Sequence, residues 1–434
     1  MKDSGVEWIG EIPDDWIPVK VKYLSTLNGR IGWQGLTSNE YQDSGPYLIT
    51  GTDFKNGHID WDTCVHITLK RYEEATQIQI KNEDLLITKD GTIGKVAIVD
   101  GLDEKASLNS GVLLIRPINY GQYAVKFCYY ILLSDIFWKW YESTHTGNST
   151  IKHLYQEKFK EFSYPLPPLP IQYAISLYLN TKCSLIDSTI EKEREIIGKL
   201  KEYRQAVITE AVTKGIREGV PMKESGVEWI GEIPYHWNVS KLKYISSSIG
   251  DGLHGTPEYD DEGDYYFING NNIGHKHLEI KENTRRVNIE EYNKNKVQFF
   301  GNTLLISLNG TVGDLSFYQF EPIILSKSAG YINLKEIVSI NYVYYFLQAE
   351  PTKNYFNISF SGTTINNLSL ATLRATSLPF PSLPEQQEIA DYLDAKCSDI
   401  DATIQKRELA IEKLTAYKQS LIYECVTGKK EVLG

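Results

Sequence analysis

Apolar residues recur in alternating steps of four and three near the middle of the chain: Leu179, Cys183, Ile186, Ile190, Ile197, Leu200, Val207 and Ala211. Polar residues break the series only at Glu193 and Arg204. This is a heptad seam, the narrow stripe by which one helix packs on another. The pattern returns 214 residues later (393 − 179 = 214) as Leu393, Cys397, Ile400, Ile404, Ile411, Leu414, Leu421 and Cys425, broken at Arg407 and Lys418. Pro170 and Pro384 stand before the two segments, and Gly215 and Gly428 close them, as helix boundaries require. Each predicted helix runs about 40 residues, or roughly 60 Å.

A single narrow seam calls for a partner, and each helix has a near-copy in the same chain. An intramolecular antiparallel pair is the simplest arrangement, with one globular region expected at each end. The alternatives are that each helix packs on its own domain or dimerises between chains. In the antiparallel arrangement Glu193 and Arg407, equivalent positions of opposite charge, are expected to meet where the helices cross, a polar site that can fix register. Near the helix ends Tyr203 and Ile208, and again Tyr417 and Ile422, form a second apolar stripe. It suits either packing on the adjacent globular region or docking of another subunit.

The duplication extends beyond the helices. Ser4–Trp16 reads SGVEWIGEIPDDW and Ser225–Trp237 reads SGVEWIGEIPYHW, 221 residues apart (225 − 4 = 221). A period this long is a duplicated domain rather than a solenoid. Four segments follow: 1–164, a strap and first globular domain; 165–215, a central helix; 216–378, a second strap and domain; 379–434, a C-terminal helix. Trp8, Trp16, Trp229 and Trp237 read as anchors of the two straps. The globular regions, 25–164 and 246–378, alternate short β-rich runs such as DLLITKDGTIGKVAIVDG and NTLLISLNGTVGDLSFY with turn residues, followed in each copy by one aromatic-rich helix and a polar loop. The fold class is α+β: two pseudo-symmetric mixed domains separated by an antiparallel coiled coil of two long helices.

The turns Gly91–Lys95 and Gly310–Asp314 lack the spacing of a phosphate loop, and the second carries Asp where a phosphate-binding lysine would stand. They read as glycine-rich turns between strands. The front loops, Gly29-Arg30-Ile31-Gly32-Trp33-Gln34-Gly35 and Gly250-Asp251-Gly252-Leu253-His254-Gly255-Thr256-Pro257, differ most between the copies and suit recognition loops on a rigid scaffold.

Composition narrows the function. Hydrophobic content of 41% and charged content of 23% are ordinary for a globular protein. No run approaches a membrane span, and the first residues lack a secretory pattern. The five cysteines form no CxxC and no Cys/His cluster, which speaks against zinc and a disulfide framework and for a reducing cytoplasm. No GxSxG, HExxH or EF-hand spacing occurs, nor the tetrapeptide of an amino-methyltransferase. The net charge of −11 is unlike the basic footprint of most nucleic-acid binders. Binding to DNA would need locally focused positive charge, or a partner that supplies much of the phosphate contact.

With its two SGVEWIGEIP straps, its PLPPLP and PFPSLPEQ entries to long helices, and the ordered GRIGWQGLTSNEY/GDGLHGTPEY, GTIGK/GTVGD and TGNSTI/SGTTI motifs, the chain resembles the specificity subunit of Type I restriction-modification systems over nearly its whole length. The resemblance implies two target-recognition domains, each reading half of a split double-stranded DNA sequence, with the paired helices as a ruler for the spacer. It implies no catalytic centre and no bound cofactor. Two methyltransferase subunits would carry S-adenosylmethionine, and two restriction subunits would use ATP and magnesium. It does not carry over base by base, so readout candidates rest on side-chain chemistry. In the first domain these are Arg30, Trp33, Gln34, Lys89, Thr92, Lys95, Asn148, Ser149 and Lys152. In the second they are His254, Thr256, Asn271, Asn272, Asn309, Thr311, Thr363 and Asn366. Candidates for the coiled coil and subunit docking are Leu179, Ile186, Glu193, Leu200 and Tyr203, with Leu393, Ile400, Arg407, Leu414 and Tyr417. A solitary methyltransferase or nuclease, and a scaffold spacing two protein-binding domains, are the competing classes.

Overall fold

The computed structural model describes residues 1–31, 35–119, 121–144, 153–274, 276–359 and 366–432. They form two compact units, Met1–Glu193 with Glu408–Gly434, and Arg194–Arg407. Glu193 and Arg407 are thus each the last residue before a division.

In the first unit, a four-stranded antiparallel sheet has the order Val96–Ile98, Leu85–Thr88, Val112–Pro117, Ser25–Gly29. The run Leu85–Thr88 is buried at every position, in keeping with three consecutive apolar residues, Leu85, Leu86 and Ile87, in place of an alternating pattern. A second sheet places Gln42–Ile49 between Ala106–Leu108, parallel to it, and the short Val65–His66. The second unit repeats the plan. Its four-stranded sheet runs Leu315–Phe317, Thr303–Ser307, Ala329–Leu334, Ser246–Asp251. Its three-stranded sheet sets Tyr265–Ile268 between Ile323–Leu325, again parallel, and Arg286–Val287. Strand order and sense agree throughout.

Each strap closes its own unit. Lys2–Asp3 pairs with Glu11–Ile12, and Ile17–Lys20 pairs with Ser163–Leu166 just before the first long helix. Met222–Glu224 with Glu232–Pro234, and Asn238–Lys241 with Ser377–Phe380, do the same in the second unit. The tryptophans anchor these turns. Trp16 and Trp237 are buried, Trp8 Nε1 donates to the Ser163 carbonyl at 2.9 Å, and Trp229 stacks on Tyr355 at 4.8 Å between ring centroids.

The aromatic-rich segment, expected as one helix per copy, is two. Val125–Leu133 and Asp135–Thr144 break at Ser134, whose hydroxyl donates to the Ile131 carbonyl at 2.7 Å. Ile340–Gln348 and Glu350–Ile358 break at Ala349, just ahead of Pro351. Both hinge residues have extended backbone, with ψ of 164° and 145°. The apolar pattern passes through the break because both short helices bury residues in the same core, so hydrophobic pattern alone cannot reveal it.

The long helices span Leu169–Lys214 and Leu383–Val426, 46 and 44 residues. In the first unit Leu179, Cys183, Ile186 and Ile190 share one core with Leu421, Ile422 and Cys425. Asp187 bonds Lys418 at 2.6 Å, and Cys183 lies near Cys425, so rising numbers on one helix meet falling numbers on the other: the pairing is antiparallel. In the second unit Arg204 meets Asp401 at 3.0 Å and Arg217 meets Glu388 at 2.7 Å, with the same sense. The Nε–H of Arg204 is not aimed along the line to Asp401, so that contact is a charge pair rather than a hydrogen bond. The polar breaks Arg204 and Lys418 therefore form equivalent ion pairs, each with an aspartate on the other helix. No helix among the described residues is long and apolar enough to cross a membrane.

Candidate nucleic-acid interface

In the first unit the loops at one end of the four-stranded sheet converge. Thr88 ends the strand Leu85–Thr88; its hydroxyl donates to the Thr92 carbonyl at 2.6 Å and accepts from the Lys95 amide at 2.9 Å. Gly91 and Gly94 adopt φ of +68° and +81°, and the Gly94 amide returns to the Thr88 carbonyl. The segment is the glycine-rich turn expected from its spacing. Lys89 donates its amide to Gly111 and accepts from the Leu154 amide, while its ammonium lies over Gly29. Asp90 is joined to His153 through Oδ1 and Nδ1. Lys95 Nζ reaches the Gly51 carbonyl at 3.2 Å, and Thr92 is exposed. Lys89, Thr92 and Lys95 thus share one sheet end.

Arg30 is placed differently from the expectation. It is 4% exposed, its Nε donates to the Leu108 carbonyl at 2.8 Å, and a terminal nitrogen donates to Ser107 at 3.1 Å. Burial, reinforced by the charge of Arg71, pulls its pKa down to about 10, so it stays charged at neutral pH. Its guanidinium supports the loop base from inside. Trp33, Gln34, Asn148, Ser149, Lys152 and Thr363 lie outside the described residues.

In the second unit the equivalent turn carries Asn309 and Thr311. Asn309 pairs by a backbone bridge with Asn367, and its carbonyl accepts from Ser307 at 2.9 Å. Its side-chain Oδ1 is buried without a hydrogen-bond partner. Exposed Asn271 brings its Oδ1 beside Gly310. Thr311 and Asn366 are exposed. Asn272 is committed elsewhere: Oδ1 caps the Asn269 amide at 2.9 Å and Nδ2 donates to the Glu279 carbonyl at 2.9 Å. In the front loop Gly252 abuts the Leu325 carbonyl so closely that a Cβ would overlap it. Beyond it, His254 is exposed and bonds Asp251 at 2.8 Å, and Thr256 is exposed.

Sequence reasoning passed over Asp90 and His153, which adjoin Lys89. The available signal was position: Asp90 occupies the place of Asn309 in the repeated turn. The second apolar stripe divides. Ile208 and Ile422 are buried, whereas Tyr203 and Tyr417 are 53% and 54% exposed. Leu179, Ile186, Leu393 and Ile400 are buried in the seam; Leu200 and Leu414 are half-buried. The five cysteines are free and buried, and burial pushes the thiols of Cys128 and Cys425 up to about 12. Among the described residues, no three His, Cys, Asp or Glu side chains gather as metal ligands.

The sequence profile of the type I restriction modification DNA specificity domain matches twice, at residues 13–202 and 234–413. The chain belongs to this family. Each match takes in most of one duplicated copy, from the end of the strap through the globular region into a long helix. The chain is 28% identical to a Methanocaldococcus jannaschii protein described as a type I restriction enzyme MjaX specificity subunit, with 98% of this chain and 96% of that protein aligned. It is 22% identical to the EcoBI specificity subunit of Escherichia coli, covering 98% and 89%. Its fold is similar to a chain solved in work on complex assembly and conformational transition of the type I R-M system, with a TM-score of 0.73 at 16% identity, covering 97% and 100%. The HsdS subunit of Thermoanaerobacter tengcongensis gives a TM-score of 0.50 at 15% identity, covering 96% and 98%.

Proposed function

We infer that this chain is the sequence-recognition subunit of a type I restriction-modification complex. The observation that carries this is the repetition of one domain plan, each copy matching the specificity domain and each gathering polar loop residues at the same end of the same sheet. Each domain reads one half of a bipartite double-stranded DNA target, and the paired helices set the number of unread base pairs between the halves. Lys89, Thr92 and Lys95 in the first domain, and Asn271, Asn309, Thr311 and His254 in the second, supply donors and acceptors of the kind that distinguish base edges. Arg30 and Asn272 hold the loops that present them.

Methyltransferase subunits dock on the helices and straps, where Tyr203 and Tyr417 present equivalent exposed rings. They carry S-adenosylmethionine, and restriction subunits, where they join, bring ATP and magnesium. The net charge of −11 fits this division of labour, because partners gripping the phosphates leave this chain to read bases. A DNA-directed complex of this kind works in the cytoplasm. The test is to assemble the chain with its methyltransferase subunits and map methylated adenines on random DNA. Two fixed half-sites separated by a spacer of constant length are expected. An uninterrupted motif, or no sequence preference, would contradict the reading.

A further inference from the structure

In the second unit, Ile273–Gly274 pairs antiparallel with His277–Leu278 across a short connection that ends at Lys276. Such a connection favours positive φ and therefore glycine or asparagine. The first unit satisfies this with Asn56 and Gly57, at φ of 51° and 84°, between Phe54–Lys55 and His58–Ile59. The second unit has Lys276 where the first has Gly57, and holds it at φ of 70°. A non-glycine residue kept in a sparsely populated conformation points to a role for its side chain.

The side chain has one. Lys276 Nζ lies 2.6 Å from Asp394 Oδ1, and the buried Tyr345 hydroxyl donates to the same oxygen at 2.6 Å. The ammonium is also 3.3 Å from the Tyr345 oxygen and sits over the Tyr344 and Tyr345 rings at 5.5 and 5.2 Å. Burial, and then the carboxylate beside it, push the Tyr345 hydroxyl's pKa upward, so it remains a donor. Asp394 follows Leu393, a fully buried member of the C-terminal helix seam. Lys276 therefore ties the recognition domain to that helix. The tie is short: Asn271 stands five residues before Lys276 (276 − 271 = 5), and the Gly274 amide donates at 3.0 Å to Ser316, on the strand that follows the Asn309–Asp314 turn.

The first unit lacks this device. The position of Asp394 is held there by Asn180, and a Cβ on Gly57 would overlap the Tyr129 hydroxyl. We propose that Lys276, Asp394 and Tyr345 form a lock that fixes the angle of the second recognition domain on the C-terminal helix, and so couples reading of the second half-site to spacer length. Lys276 and Asp394 are positioning residues. The inference rests on the bipartite reading above.

The assembled methyltransferase complex tests it on DNA carrying the wild-type target, with the spacer one base pair shorter, unchanged, or one longer. Lys276→Gly restores favourable turn chemistry and removes the ammonium; Asp394→Asn removes the shared carboxylate. Both variants should lose about tenfold of their preference for the correct spacer, at the second half-site adenine alone. Lys276→Gly should do so without a fall in Tm, because glycine suits the turn. Unchanged spacer preference in both variants would overturn the lock. So would methylation lost equally at both half-sites together with a lowered Tm. A wild-type complex that modifies no split target would instead overturn the bipartite reading, and the lock with it.

Discussion

Gly428 and Gly215 end the two long helices in equivalent left-handed conformations, at φ of +72° and +80°, but face different surroundings. A Cβ on Gly428 would stand 2.5 Å from Pro13 Cδ, whereas one on Gly215 would meet Trp237 at 3.3 Å. Backbone strain alone costs alanine about 1–2 kcal/mol at either site. The collision with the first strap should raise the cost of Gly428→Ala to roughly 2–4 kcal/mol. Urea unfolding of both variants checks this, and equal losses would show that the Pro13 contact can relax. At this scale the sequence reveals residue type but not assignment. Arg30 and Lys89 are both cations on loops, yet only the structure shows that Arg30 is spent on Leu108 and Ser107. Asn271 and Asn272 are neighbours of identical chemistry, and the second is consumed as a cap. A readout amide and a capping amide need the same side chain, so composition cannot separate them.

At the scale of elements, the long helices were legible because a seam repeated over many turns overdetermines both helix and partner. The aromatic segment reads as one helix because residues on both sides of the break at Ser134 or Ala349 are buried in the same core. If the paired helices act as the proposed ruler, lengthening them should lengthen the spacer. Inserting four residues near the middle of both helices, at matching positions, adds about 6 Å to each. With base pairs about 3.4 Å apart, the spacer should grow by one or two base pairs. The insertion also turns each helix by about 40° relative to whole turns, so some affinity should be lost. Methylation mapping reads the result. An unchanged spacer with methylation intact would mean that the helices do not set the distance.

At the scale of the whole molecule, two copies of one plan have kept their frames and diverged in their loops. The straps, sheet orders and helix seams agree between copies, while Lys276 replaces glycine, Asp394 replaces asparagine and the front loops share little. Duplication is what made the architecture readable from one chain, since each copy serves as the other's comparison. The acidic balance pointed away from DNA because it averages over a molecule whose proposed work falls to a few loop ends. The central claim is that each recognition domain reads its half-site independently. The most direct measurement exchanges residues 25–164 for the corresponding region of a relative with a different target, then maps methylated adenines with the assembled complex. One half-site should change to that of the donor while the other half-site and the spacer persist. A change in both half-sites, or in neither, would contradict the account.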